Sequence, residues 1–126
     1  MDEKETTRKM YNFKPGKAFD LFNEGLTIAF GGTSESAAKL FEKSIAENPS
    51  NPAAYMYLIM MYEFMHEQND ILKDLCSKWV EVATKSGNEK QIARATASLK
   101  YYSATEDERK AMVKAFAKQI SGLGYG

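Results

Sequence analysis

Apolar residues recur every three or four positions along most of the chain, and the pattern breaks at only a few places. That spacing puts apolar side chains on one face of a helix. Phe19, Phe22, Leu26 and Ala29 make one stripe and Leu21, Gly25 and Ile28 a second, which predicts a helix from about Pro15 to Phe30. A helix apolar on two sides either buries both or buries one and offers the other. Gly31-Gly32 ends it, and Thr33 or Ser34 caps the next, with Glu35 near its positive end. Ala37, Leu40, Phe41, Ser44 and Ile45 form the stripe of the second helix, which Asn48-Pro49 stops, because proline lacks an N–H and pushes its predecessor out of the helical region.

Asn51 caps a third helix with Pro52 at its first position, running to about His66, the most hydrophobic piece of the chain. The fourth begins at a cap on Asn69 or Asp70. Its rows, Ile71, Leu75, Trp79, Val82 and Leu72, Cys76, Val80, Ala83, carry it to Ser86-Gly87. The fifth covers about Glu89 to Tyr102, with Ile92, Ala95, Leu99 and Tyr102 inward. A capping box of Thr105 and Glu108 opens the sixth, which has Met112, Phe116 and Ile120 on one side and Val113 and Ala117 beside them. The expectation is an all-α fold of about six antiparallel helices in a single domain over residues 14–121. Residues 1–13 are charged and aperiodic and are expected to be a mobile tail, apart from a small apolar cluster of Met10, Tyr11 and Phe13 that can dock on the body or on a neighbour. Residues 122–126 hold three glycines and are expected to be a flexible tail.

Two stretches share a 34-residue register. With a terminal proline at Pro49, a small residue falls at Ala37, an aromatic at Phe41 and a glycine at Gly25. Thirty-four residues after Ala18 the next unit opens at Pro52, with Tyr55, Leu58 and Tyr62 at its aromatic, leucine and tyrosine positions. The pattern resembles the tetratricopeptide repeat, a helix–turn–helix unit of that period. The chain departs from it at Leu21, Glu24 and Ile28 in the first unit, and at Ile59, Ile71 and Leu75 in the second. The resemblance implies a short right-handed solenoid with repeats at about 18–51 and 52–86. Residues 88–121 would be a degenerate third repeat or a capping pair, since Met112 and Gly124 fit the motif poorly.

The resemblance also implies a concave groove, lined by the first helix of each repeat, that holds peptides or partner helices. The groove positions are Phe19, Phe22, Asn23, Leu26 and Phe30; then Met56, Tyr57, Met60, Glu63 and Phe64; then Arg94, Ser98 and Tyr101. Methionine and aromatic side chains re-pack around varied apolar partners. Two readings stand side by side: the groove holds an apolar segment of another protein, as an adaptor or chaperone does, or these residues are buried against the chain's own tail or in a homodimer or larger assembly. The family branch that clamps the C-terminal carboxylate of heat-shock chaperones needs an asparagine directly after the glycine, where this chain has Leu26. An apolar groove is more similar to the small secretion chaperones of the family.

Composition narrows the functional classes. The formal net charge is zero, which gives no strong field for nucleic acid or a membrane surface. The halves differ: residues 1–84 hold 9 Lys/Arg and 13 Asp/Glu, net −4, and residues 85–126 hold 8 and 4, net +4. This reads as solvated helix faces, or as a basis for head-to-tail association or a basic docking face. The single cysteine, Cys76, makes no disulfide within one chain, and with an N-terminus that lacks an apolar core the expected location is cytoplasmic. No catalytic group, cofactor site or metal site is expected. His66, with Glu63 and Glu67 near it, is the only histidine and falls short of the three or four ligands a transition metal wants. Cys76 sits in an apolar row, as an inert core thiol does. Gly31-Gly32 follows a helix and lacks a phosphate-binding lysine.

Overall fold

The structure, a computed structural model, describes residues 2–122, and every regular element among them is a helix: α1 (Glu3–Met10), α2 (Lys17–Gly31), α3 (Ser34–Glu47), α4 (Pro52–Phe64), α5 (Asn69–Ser86), α6 (Glu89–Ser103) and α7 (Glu106–Gly122). That is one helix more than the sequence pattern predicts. Residues 123–126, most of the expected glycine-rich tail, lie outside the described residues, and Gly122 is the last residue of α7.

The extra helix replaces the expected tail at residues 1–13. Asp2 caps it by accepting from the Glu5 N–H at 2.7 Å; Glu3 and Glu5 stand in its first turn and Arg8 and Lys9 in its last. Those charges match the helix dipole at both ends, which supports a helix that buries nothing. Asn12 then takes a left-handed conformation (φ 58°), and the N–H groups of Asn12 and Phe13 return to the carbonyls of Lys9 and Arg8. This is the Schellman ending, tolerated well by asparagine. It turns the chain so that Phe13 enters the core.

Most other boundaries follow local chemistry; α5 differs from the expected cap on Asn69 or Asp70, since Asn69 is already its first residue and Gln68 before it makes no side-chain cap bond. Thr33 accepts from the Ser36 N–H, Asn51 from Ala53 with Pro52 in the first turn, and Asn88 from Gln91. Thr105 and Glu108 close their capping box reciprocally, each bond 3.1 Å. α5 reaches Ser86 and stops at Gly87, whose φ of 72° suits glycine. His66 ends α4 in the same left-handed way as Asn12, with Glu67 N–H returning to Tyr62.

Successive helices from α2 to α6 pack as neighbours, and α4 also touches α6. Two cores result. Phe13, Phe19, Phe22, Leu26, Ala37, Ala38, Phe41, Ala53, Ala54, Leu58 and Met61 make the first; Tyr55, Ile59, Leu72, Cys76, Trp79, Ala83 and Ala95 make the second. Helix α4 contributes to both, which explains why it is apolar on all sides. The first hairpin depends on a close approach: a Cβ on Gly25 would stand 2.7 Å from Cε1 of Phe41, a ring with no exposed surface. Ser44 donates to the Ala18 carbonyl (2.7 Å) across the same hairpin, and Trp79 donates to Gln91 Oε1 (2.8 Å) between α5 and α6.

Gly25→Ala is therefore expected to destabilise. The helix-propensity gain of up to about 1 kcal/mol is outweighed by overpacking of about 1–3 kcal/mol, because the buried ring has nowhere to move. A thermal melt should show Tm lowered by a few degrees; an unchanged or raised Tm would contradict the packing described.

Candidate binding groove

The helices predicted to line a groove are α2, α4 and α6, and part of the predicted lining is covered by the chain itself. Tyr11 and Phe13, at the end of α1, lie on it. Tyr11 packs edge-on to Phe22 at 5.2 Å and to Tyr57 at 5.6 Å; Phe13 stands 4.7 Å from Phe22 and 5.7 Å from Phe19, ring centre to ring centre. The hydroxyls of Tyr11 and Tyr57 are hydrogen bonded, and Asn51 Nδ2 donates to the Tyr11 carbonyl at 3.0 Å. The other oxygen-bearing end of that Asn51 amide caps α4, so one side chain both starts the helix and receives the N-terminal segment.

The predicted lining divides accordingly. Phe19, Phe22 and Leu26 are buried core residues and do not face a free groove, which corrects the sequence-based expectation for these three. For Phe19 and Phe22 the reason is the segment on top of them, residues 11–13; Leu26 belongs to the same core. Asn23, Met56 and Tyr57 are half-buried. The Met56 sulfur lies 3.6 Å from both Gln91 Nε2 and Arg94 Nη1. At the other end, where α2 and α4 finish, Phe30 is 86 % exposed and Phe64 65 %, with Met60 and Glu63 also exposed. Arg94 and Tyr101 on α6 are exposed, and Arg109 from α7 lies 6.0 Å above the Tyr101 ring. The structure thus places Met60, Glu63, Phe64, Phe30, Arg94 and Tyr101 on open surface. The docked residues Tyr11 and Phe13, which the groove assignment omitted, carry one signal in the sequence: an aromatic pair beside a charged stretch.

No family model, curated protein or solved structure matches this chain.

Among the described residues no group of three or more His, Cys, Asp or Glu converges to hold a metal ion. Cys76 is fully buried, and burial, reinforced by Glu63, pushes its thiol up to about 11, so it is protonated at neutral pH. A separate open cleft of about 610 Å³ lies between the α3–α4 turn and the end of α5, lined by Pro49, Tyr55, Lys78, Glu81 and Lys85. Glu81 there is paired with Lys85 at 3.1 Å and exposed, as a solvated helix pair is. No described helix is long and apolar enough to cross a membrane.

Tyrosine hydroxyls tie α4 to its neighbours α3 and α6. Tyr62 donates to Glu42 and Tyr102 to Glu63. Burial, then these carboxylate bonds, push the Tyr62 hydroxyl up to about 12 and raise Tyr102 further; burial and the Tyr11 bond raise Tyr57 likewise. In each case the folded state holds the proton more tightly than the unfolded chain, whose tyrosines titrate near ~10. The contribution to stability is complete below pH ~10 and is lost as pH rises through about 12. Denaturation midpoints should therefore be insensitive to these groups at neutral pH and fall above pH ~10, less steeply in Tyr62→Phe. Equal slopes for variant and wild type would remove Tyr62 from the account.

Proposed function

We propose that this chain is a tetratricopeptide-like repeat protein that holds an apolar segment of another protein on the face formed by α2, α4 and α6. The observation that carries the reading is the pair Phe30 and Phe64. They stand 34 residues apart, on the last turns of alternate helices, and both rings are mostly in solvent. Met60 and Tyr101 extend the exposed apolar surface. Exposed apolar residues that form one patch mark interaction surfaces, whereas scattered single residues do not, and this reading takes these four as one patch. The close approach of Phe41 to Gly25, between helices placed as one repeat's pair, supports the repeat assignment. On this reading α2–α3 and α4–α5 are the repeats of a short right-handed solenoid, and α6–α7 is its closing pair. Binding of this kind needs no catalytic group or cofactor, and the expected setting is cytoplasmic.

A second reading, a self-associating subunit, is favoured by α7. No residue of it up to Ile120 is buried, and Val113 and Phe116 are 57 % and 63 % exposed. Two repeats are also fewer than the three that stacking usually needs.

The test is to pan a displayed random-peptide library on wild type and on Met60→Asp/Phe64→Asp. Aromatic-rich peptides should be enriched on wild type and bind the variant at least about tenfold more weakly, with the helical circular dichroism unchanged. No enrichment, or equal binding, would overturn the groove. A dimer or larger species by light scattering at high micromolar concentration, with no peptide enriched, would favour the self-associating subunit.

A further inference from the structure

We propose that the closed end of the groove is a recognition site for a short segment in which two aromatic side chains flank one residue, and that Tyr11-Asn12-Phe13 is the chain's own occupant of it. This rests on the reading of that face as a binding surface and states what it recognises.

The three residues are held as a ligand is held. Tyr11 meets a ring on each of two helices, Phe22 of α2 and Tyr57 of α4. Its carbonyl takes a hydrogen bond from Asn51 and its hydroxyl meets that of Tyr57. Phe13 fills the apolar half of the site, 3 % exposed between Phe19 and Phe22. Side chains two apart on a turned segment thus enter one hollow, a hydroxylated ring at its polar margin and a plain ring at its floor.

The rest of the arm is built as a separate piece. Helix α1 buries no residue. Its polar ties to the body among the described contacts are the Lys4–Asp20 pair, 2.9 Å with both side chains more than half exposed, and Lys4 at 6.0 Å above Phe19. The Phe13 carbonyl is satisfied by Arg8 of the arm itself at 2.7 Å. The connection to α2 is Lys14-Pro15-Gly16, wholly exposed, with Gly16 at φ 150°, a conformation open to glycine, and no side-chain cap where α2 starts. The arm is closed on itself, jointed, and attached through two rings, the Asn51 amide, the Tyr11 hydroxyl and the exposed contacts of Lys4. A partner segment with the same two rings and a free carbonyl satisfies the same groups, so exchange leaves no buried surface bare.

The experiment places a protease site in the Lys14–Gly16 linker of the full chain and cuts it after folding. A labelled peptide of residues 8–14 should exchange into the cut, still helical protein. Unlabelled peptides with Tyr-x-Phe should displace it, and those with Ala-x-Ala should not. Tyr57→Phe should weaken a Tyr-x-Phe peptide severalfold and leave Phe-x-Phe unaffected. If the inserted site blocks folding, the uncut Tyr11→Ala/Phe13→Ala chain should bind the same peptide at least tenfold more tightly than wild type does. No exchange into the cut protein, departure of the arm only with loss of helix, or equal affinity for Ala-x-Ala would overturn the proposal. Enrichment of apolar peptides at Met60 and Phe64 alongside any of these results would leave the binding function standing and remove only the aromatic-pair site.

Discussion

Helix α4 buries apolar residues on two sides and leaves only Met60, Glu63 and Phe64 exposed, and the arrangement of the other helices follows from that. Ala53, Ala54, Leu58 and Met61 belong to one core and Tyr55 and Ile59 to the other. A helix of this kind is stable only when both faces are covered. One cover is the α2–α3 hairpin, made thin enough at Gly25 for the Phe41 ring to enter; the other is α5–α6. Fully burying each of Leu58, Ile59 and Met61 contributes about 1.5–3 kcal/mol, so losing either cover strands a large part of the molecule's apolar surface. The two cores are therefore one cooperative unit, coupled through a single helix.

Polar groups fix how these covers sit. Ser44 is fully buried, and its hydroxyl is satisfied by the Ala18 carbonyl on the opposite helix. Gln91 is buried with Trp79 as its donor, and the Asn88 cap begins the helix three residues earlier. No buried side-chain nitrogen or oxygen among the described residues lacks a partner. Hydrophobic contact alone tolerates small slides between helices. A buried bond that must be remade or left open at a cost of about 1–3 kcal/mol does not. The tyrosine–carboxylate pairs at Glu42 and Glu63 do the same at the edges of α4, with less force because they face solvent.

Much of this was legible before any coordinates. Thr33, Asn51-Pro52 and the Thr105–Glu108 box are local signals, and each starts a helix where it should. The long fourth stripe runs to Ser86 because Trp79 and Ala83 continue its buried row. Apolar spacing does not reveal α1, whose signals are the Asp2 cap and the sorting of acids before bases. The burial of the aromatic stripe on α2 was half legible. Spacing puts Phe19, Phe22 and Phe30 on α2, but spacing cannot say that Phe13 folds back over the first two and leaves the third in solvent. That choice is made by Asn12 and Asn51, a left-handed turn and an amide hydrogen bond between residues 40 apart in sequence.

The two ends of the chain resolve the same problem differently. A helix at the end of a packed series has one neighbour fewer and must cover or polarise its outer face. At the N-terminal end an otherwise solvated helix delivers two aromatic rings to the body, so that α2 is closed by residues 11–13. At the C-terminal end α7 is tied by Arg109, which donates to the Ala104 carbonyl and lies above Tyr101, while Val113 and Phe116 remain in solvent. Few buried contacts and an exposed backbone place an element at the low end of local stability. The cores around α4 sit at the high end, because opening them exposes both covers at once. The molecule is thus rigid where its rings are shared between helices and loosest at α1 and α7. A binding event that trades one aromatic pair for another at the N-terminal end draws on the loose part and leaves the cooperative part intact.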